Sequence, residues 1–294
     1  MPPRLRRYTT SCSRYWKAAT RIAELNTDSG TVGDSRLDAA LASRGLAKSR
    51  TTAARLITDG LVTVDGSPVV KASARVRDDQ EIRVATSDHY VSRAAHKLIA
   101  GLDAFDVTVE GVLALDVGAS TGGFTQVLLE RGARQVIALD VGHAQLSPSI
   151  RSDERVTTVE GFNARFMTAK TLAETAKTSE IPSLVVADLS FISIPTVLPA
   201  LVATVGADAE FVVLVKPQFE VGRTGIKEGI VKSSGLRTEA VTNVMWAAWD
   251  LGLATAGVIP SPIAGGTGNR EYVVWFSARG TNPTEWLQAV QALG

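Results

Sequence analysis

Four apolar runs in this 294-residue chain each end in a charged residue. Val112-Leu113-Ala114-Leu115 runs into Asp116, Val136-Ile137-Ala138-Leu139 into Asp140, Leu184-Val185-Val186-Ala187 into Asp188, and Phe211-Val212-Val213-Leu214-Val215 into Lys216. Continuous Val/Leu/Ile runs are the mark of strands buried on both faces. Their carboxyl ends are where an open α/β sheet binds its ligand. After the first run comes Asp116-Val117-Gly118-Ala119-Ser120-Thr121-Gly122-Gly123-Phe124-Thr125. Glycines there let the chain turn sharply and let a ligand approach the backbone. No Gly-Lys-Ser/Thr follows, so this is not a phosphate loop, and Ser120 occupies the second glycine position of a dinucleotide fingerprint. Asp140, 24 positions after Asp116, can bind both hydroxyls of a ribose. A glycine loop with a ribose-binding acid and no pyrophosphate cradle suits a nucleoside without phosphate. S-adenosylmethionine is the leading candidate, against the plainer alternative of a tight structural turn.

The acceptor can be narrowed by elimination. Asp188-Leu189-Ser190-Phe191 stands where an adenine-modifying methyltransferase would show Pro-Pro-aromatic. Pyrimidine carbon methylation calls for a cysteine nucleophile, and the single cysteine, Cys12, lies in the unpatterned front. A hydroxyl or sugar oxygen survives. Lys216, biased to extended backbone by Pro217, can orient such a hydroxyl beside the Asp188 strand end; the bland alternative is a surface lysine.

The alternation of strands and helices from residue 112 onward predicts an α/β, Rossmann-like domain with a mostly parallel sheet covered by helices. Ahead of it, Ser35 is expected to cap a helix bearing Leu37, Ala40 and Leu41, and Ser49 a second bearing Ala53, Leu56 and Ile57. Val62-Thr63-Val64, an Asp65-Gly66 turn, Val69, Val76, Ile82 and Val84 mark short strands. Residues 1–97 carry 17 Lys and Arg against 10 Asp and Glu, a net +7, whereas residues 98–294 carry 14 against 20, a net −6. A basic front on an acidic body points to a polyanion-binding module. Arg36, Lys48, Ser49, Arg50, Arg55 and Lys71 are its candidate RNA contacts, with Arg93 just beyond it. Each singly could be a solvated surface group. One cysteine excludes a disulfide framework and a thiolate metal site, and no metal is expected. Leu189–Ala207 is uncharged, but Pro195, Pro199 and Gly206 favour a loop and a buried helix over a membrane span.

Two sets of motifs carry a resemblance. Arg36-Leu37-Asp38, Gly45-Leu46, Ser49-Arg50, Gly60 and Gly66 resemble the RNA-binding domain named after small-subunit ribosomal protein four. Tyr90-Val91-Ser92-Arg93, Lys97-Leu98, the Asp116–Thr125 loop, Asn163-Ala164-Arg165, Asp188-Leu189-Ser190-Phe191, Lys216-Pro217-Gln218-Phe219-Glu220 and Gly268-Asn269-Arg270-Glu271-Tyr272 resemble the TlyA family. Its members are ribosomal RNA 2′-O-methyltransferases also described as haemolysins. The resemblance implies an FtsJ-like catalytic domain with a seven-stranded sheet, and a Lys-Asp-Lys-Glu set falling on Lys97, Asp188, Lys216 and Glu271. It implies S-adenosylmethionine held by Asp116, Gly118, Ala119, Ser120, Thr121, Gly122, Gly123, Phe124, Asp140, Asn163 and Asp188. Cytidines of ribosomal RNA, free or in ribosomal subunits, are the implied substrates. The expected layout is a basic disordered extension at 1–34, an RNA-binding domain at 35–84, a linker at 85–90, the methyltransferase domain at 91–280 and a tail or helix at 281–294. A cytoplasmic monomer with no obligatory membrane is expected. The competing functions are a membrane-active cytolysin and a non-catalytic RNA-binding assembly factor.

Overall fold

The computed structural model describes residues 34–47, 49–58, 60–84, 89–222 and 225–294. The basic extension, Lys48, the Arg55 side chain and linker residues 85–88 lie outside the described set. The chain forms two compact units that divide between His89 and Tyr90.

In the front unit, β1 (Asp34–Arg36) leads into α1 (Leu37–Ser43) and α2 (Arg50–Thr58). β2 (Val62–Val64), β3 (Ser67–Pro68), β4 (Arg75–Arg77) and β5 (Ile82–Val84) follow. β2 lies between β3 and β5, while β1 pairs with β4. The core gathers Leu37, Leu41, Ala53, Ile57, Val62 and Val76. Asp65 (φ 49°) and Gly66 (φ 78°) both take the left-handed conformation that a two-residue hairpin needs between β2 and β3. The Ser49 hydroxyl accepts the Thr52 N–H at 3.1 Å, capping α2. Ser35 does not cap α1: it lies in β1, opposite Val76. The Leu37 and Asp38 N–H groups instead donate to the Ala74 and Ala72 carbonyls, so the first turn needs no hydroxyl cap.

The second unit opens on α3 (Ala95–Phe105), β6 (Leu113–Val117), α4 (Gly123–Glu130), β7 (Gln135–Leu139), α5 (Pro148–Arg151) and β8 (Val156–Val159). It continues through α6 (Ala169–Ala176), β9 (Leu184–Ala187), α7 (Ile194–Val205), β10 (Glu210–Val215) and α8 (Pro217–Glu220). α9 (Ser234–Trp249), β11 (Thr255–Pro260), β12 (Tyr272–Phe276) and α10 (Leu287–Leu293) complete it. The seven strands run in the order β11-β12-β10-β9-β6-β7-β8, with β12 antiparallel to both its neighbours and β10, β9, β6, β7 and β8 parallel. Leu189–Ala207 supplies a loop and α7, whose Val197, Leu198 and Leu201 enter the core. Among the described residues no helix is long and apolar enough to cross a membrane. Residues 281–294 carry α10, whose Val290 is buried in the same core.

Strand alternation divides this core into two layers. Leu113, Leu115, Val117, Val185, Ala187, Val213, Val215 and Tyr272 pack on the α7/α9 side. Ala114, Leu184, Val186, Val212, Leu214 and Val273 pack on the α3/α4 side. Asp116, Asp188, Lys216 and Glu271 all have the second parity. The register sets Val117 beside Ala187 and Val215 beside Tyr272. Because β12 runs backwards, the residue before its start lies at the same sheet edge as the residue after the end of β10. Four positions spread over 156 residues of chain thus share one edge and one face.

Candidate active site

Asp116 sits inside β6, fully buried, and its Oδ2 accepts the Thr125 hydroxyl at 2.6 Å. Its Oδ1 is buried without a hydrogen-bond donor. Loss of solvent pushes this carboxyl up to about 7, against the opposing Thr125 bond. The loop beyond it is built by close approach. Gly118 has φ 84°, and a Cβ there would lie 2.7 Å from the Asp188 carbonyl oxygen. Gly122 has φ 96°, and a Cβ would meet Leu146 at 2.9 Å. Asp140 pins the loop from the next strand: Ser120 N–H donates to its Oδ2 at 2.8 Å and Gly142 N–H to its Oδ1 at 2.7 Å. Each of these oxygens keeps lone-pair capacity for a sugar hydroxyl.

The charged set resolves into two pairs. Lys216 Nζ lies 2.6 Å from Asp188 Oδ1 as an ion pair off the hydrogen-bonding direction, and it donates to Ser190 Oγ at 2.8 Å. Lys97, on the first turns of α3, donates to Glu271 Oε2 at 2.6 Å, with both side chains almost wholly buried. Gln218, two residues after Lys216, reaches Glu271 Oε1 at 3.4 Å and links the pairs.

A pocket of about 160 Å³ opens between the loop and the first pair. Of the expected residues, Gly118, Ala119, Ser120, Thr121, Gly123, Phe124, Asp188 and Lys216 line it. Asp116 and Gly122 stand behind the loop, and Lys97 and Glu271 do not reach the wall. Asn163 Oδ1 accepts the Arg165 N–H at 3.0 Å and starts a 3-10 turn over Ala164–Phe166. Ser92, Ala94 and Ser190 also line the pocket and were not singled out from sequence. Ser190 had a signal, since it lies two residues beyond a strand-end acid. Ser92 had one as well, inside the Tyr90–Arg93 motif, and Ala94 had none. Phe191 follows with φ 64° and 91% exposure, its ring 5.2 Å from that of Phe219. Among the described residues no cluster suited to a metal ion occurs.

In the front unit Arg36 and Arg50 both engage the nearly buried Asp38, at 3.0 and 3.2 Å. These contacts hold the Asp38 carboxyl down at about 2. Ser49 is spent on its helix cap, and Lys71 is exposed. Arg93, in the other unit, is half-buried, with its guanidinium near Gly266.

The FtsJ-like methyltransferase family matches residues 90–278, and the S4 domain matches residues 35–82. A 16S/23S rRNA (cytidine-2′-O)-methyltransferase, TlyA of Mycobacterium tuberculosis, is 48% identical over 244 residues, covering 82% of this chain and 89% of the relative. The chain belongs to the TlyA family of FtsJ-like methyltransferases. Hemolysin A of Brachyspira hyodysenteriae is 40% identical over 82% of this chain and 99% of its own length. A solved structure carrying a hemolysin name, from Streptococcus thermophilus, superposes with a TM-score of 0.68 at 36% identity, covering 88% of this chain and 94% of that one. As an FtsJ-like methyltransferase the chain uses S-adenosylmethionine. The site fits that donor on its own chemistry: a glycine turn open to close approach, an acid with free lone pairs at the β7 end, and a buried acceptor at Asp116 lacking a donor.

Proposed function

We propose that this protein methylates the ribose 2′-oxygen of a cytidine in ribosomal RNA. The observation that carries this is a lysine 8% exposed at the pocket wall, braced by Asp188 and Ser190 beside the donor-binding loop. S-adenosylmethionine, when bound, supplies a methyl group on a cationic sulfur that departs as a neutral thioether. Asp140 would hold the ribose hydroxyls of that donor, and Asp116, closed behind the loop, would favour its ammonium by charge without touching it. Lys216 must hold the acceptor oxygen in line and ease loss of its proton, as a base or by turning a lone pair toward the methyl carbon. Its bond to Ser190 leaves donor capacity for that oxygen. Orientation of this kind is worth about 7–11 kcal/mol. Lys97 and Glu271 act from behind, fixing the β12 edge and Gln218. Phe191 and Phe219 offer an aromatic face on which a displaced base can stack.

The front unit holds folded RNA through phosphates, with Asp38 fanning Arg36 and Arg50. The substrate is ribosomal RNA, the protein acts as a monomer in the cytoplasm, and no metal takes part. The expected result of mapping 2′-O-methylation in ribosomal RNA from cells with and without this protein is at least one cytidine methylated only in its presence. Unchanged maps, with purified enzyme inert on both ribosomal subunits, would overturn the proposal.

A further inference from the structure

Glu220 has no part in the site as described, yet it is a half-buried carboxyl one turn beyond Lys216. The reason lies at the start of α7. Ser193 occupies the N-cap position, but its hydroxyl pairs with Thr196 Oγ1 at 2.7 Å and bonds no backbone N–H. Pro195 has no N–H to offer. Thr196 N–H returns to the Ser193 carbonyl at 3.1 Å. The Ile194 N–H is left over, and Glu220 Oε1 accepts it at 2.9 Å from 26 residues away. On its own side Glu220 is rigidly tied to Lys216. α8 is a single turn starting at Pro217, closed by Phe219 N–H on the Lys216 carbonyl and Val221 N–H on the Pro217 carbonyl. The same two segments meet at the pocket through Lys216–Asp188, Lys216–Ser190 and Phe191–Phe219.

We propose that Glu220 is a positioning residue for methyl transfer: by accepting the Ile194 N–H it locks the Lys216 turn to the helix that terminates the Asp188–Phe191 loop. This rests on the methyl-transfer reading above. A helix start needs only a hydroxyl or amide to cap it. Burial works against a carboxylate here and pushes Glu220 up to about 7, more than its one N–H partner offsets. A cap from Ser193 could reach only the second and third helical positions, of which Pro195 has no N–H and Thr196 is already bonded, so without Glu220 the Ile194 N–H is unpaired and the Asp188 loop and the Lys216 turn are independent. The bond across segments makes one rigid body of the two groups that must converge on the acceptor oxygen. A displacement of about 1 Å in such a group lowers turnover by about a hundredfold.

The test compares full-length wild type with Glu220→Ala and Glu220→Gln by amide hydrogen exchange over residues 189–197 and by steady-state methylation of ribosomal RNA. For Glu220→Ala, exchange in that segment should rise about tenfold or more. Its kcat should fall about tenfold to a hundredfold, while KM for S-adenosylmethionine stays within about threefold. Glu220→Gln keeps the acceptor and should restore both readouts to within about threefold of wild type. Should the alanine variant fail to fold, Glu220→Asp, one methylene short of Ile194, takes its place. Exchange and kcat unchanged in the truncated variant, or an equal loss in the glutamine variant, would overturn the proposal. If wild type itself leaves RNA unmethylated, the parent reading fails, and the exchange comparison alone decides whether Glu220 is the lock.

Discussion

Two lysine–carboxylate pairs occupy one face of the same sheet at the same 2.6 Å separation, and their surroundings set them apart. Lys97 and Glu271 are sealed, with side-chain exposures of 7% and 2%. Lys216 and Asp188 open on a pocket lined by the glycine loop and by Ser92, Ala94 and Ser190. The sealed pair does not line the pocket, so on this geometry its reach toward the acceptor runs through Gln218. An open pair has something left to give: Lys216 shares its donors with Ser190 and can still meet an incoming oxygen. Chemical type alone therefore does not separate the two pairs, and access to the pocket does.

Substitutions on the two sides should separate activity from stability. Lys216→Ala should lower turnover by about 10²–10⁴-fold, with S-adenosylmethionine affinity by calorimetry within about twofold and the thermal midpoint nearly unmoved. A variant that instead melted early would erase the distinction between the pairs. Lys97→Met strands a buried carboxylate at Glu271 and should cost about 3–5 kcal/mol in urea unfolding. Adding Glu271→Met should recover more than half of that loss. If the single variant folds normally but is inactive, Lys97 belongs with the open pair.

A smaller effect concerns Asp116, a third carboxyl on this face. Its folded value of about 7 lies above the ordinary 3.8. The folded chain therefore holds this proton more tightly than the unfolded chain. This group's contribution to stability falls as pH rises from about 4 and is fully lost above 7. Between pH 5 and 7 the loss should be about 2 kcal/mol, and Asp116→Asn should flatten it in urea midpoints taken across that range. Donor affinity should move the other way, rising severalfold from pH 6 to 8 in wild type as Oδ1 gains charge. That rise should vanish in Asp116→Asn.

The sheet, its strand ends and the glycine loop were legible because buried parallel strands need uninterrupted apolar runs, and those runs end abruptly in Asp or Lys. The Asp65-Gly66 hairpin was legible because few dipeptides tolerate two positive φ values. Ser35 misled because a hydroxyl before an amphipathic stretch looks like a cap whether or not carbonyls from another segment already serve the helix start, as those of Ala72 and Ala74 do. Asn163, expected at the donor, also closes a local turn through its Oδ1, a task that leaves its amide N–H groups available. The pocket wall at Ala94 was invisible, and Ser92 was seen only as part of a motif, since small residues become informative only when something must fit beside them.

The linear order of residues determined the parallel sheet, the glycine loop and the strand-end charges Asp116, Asp140, Asp188 and Lys216, because each depends on local pattern, whereas Lys97 and Glu271 were reached only through the family motifs. Tertiary structure decided which charges pair, which pair meets the pocket and that Glu220 caps a helix 26 residues away. Those outcomes depend on strand register and on which side chain reaches a vacant donor first. Register is fixed by packing over the whole sheet, and no local window of sequence contains it.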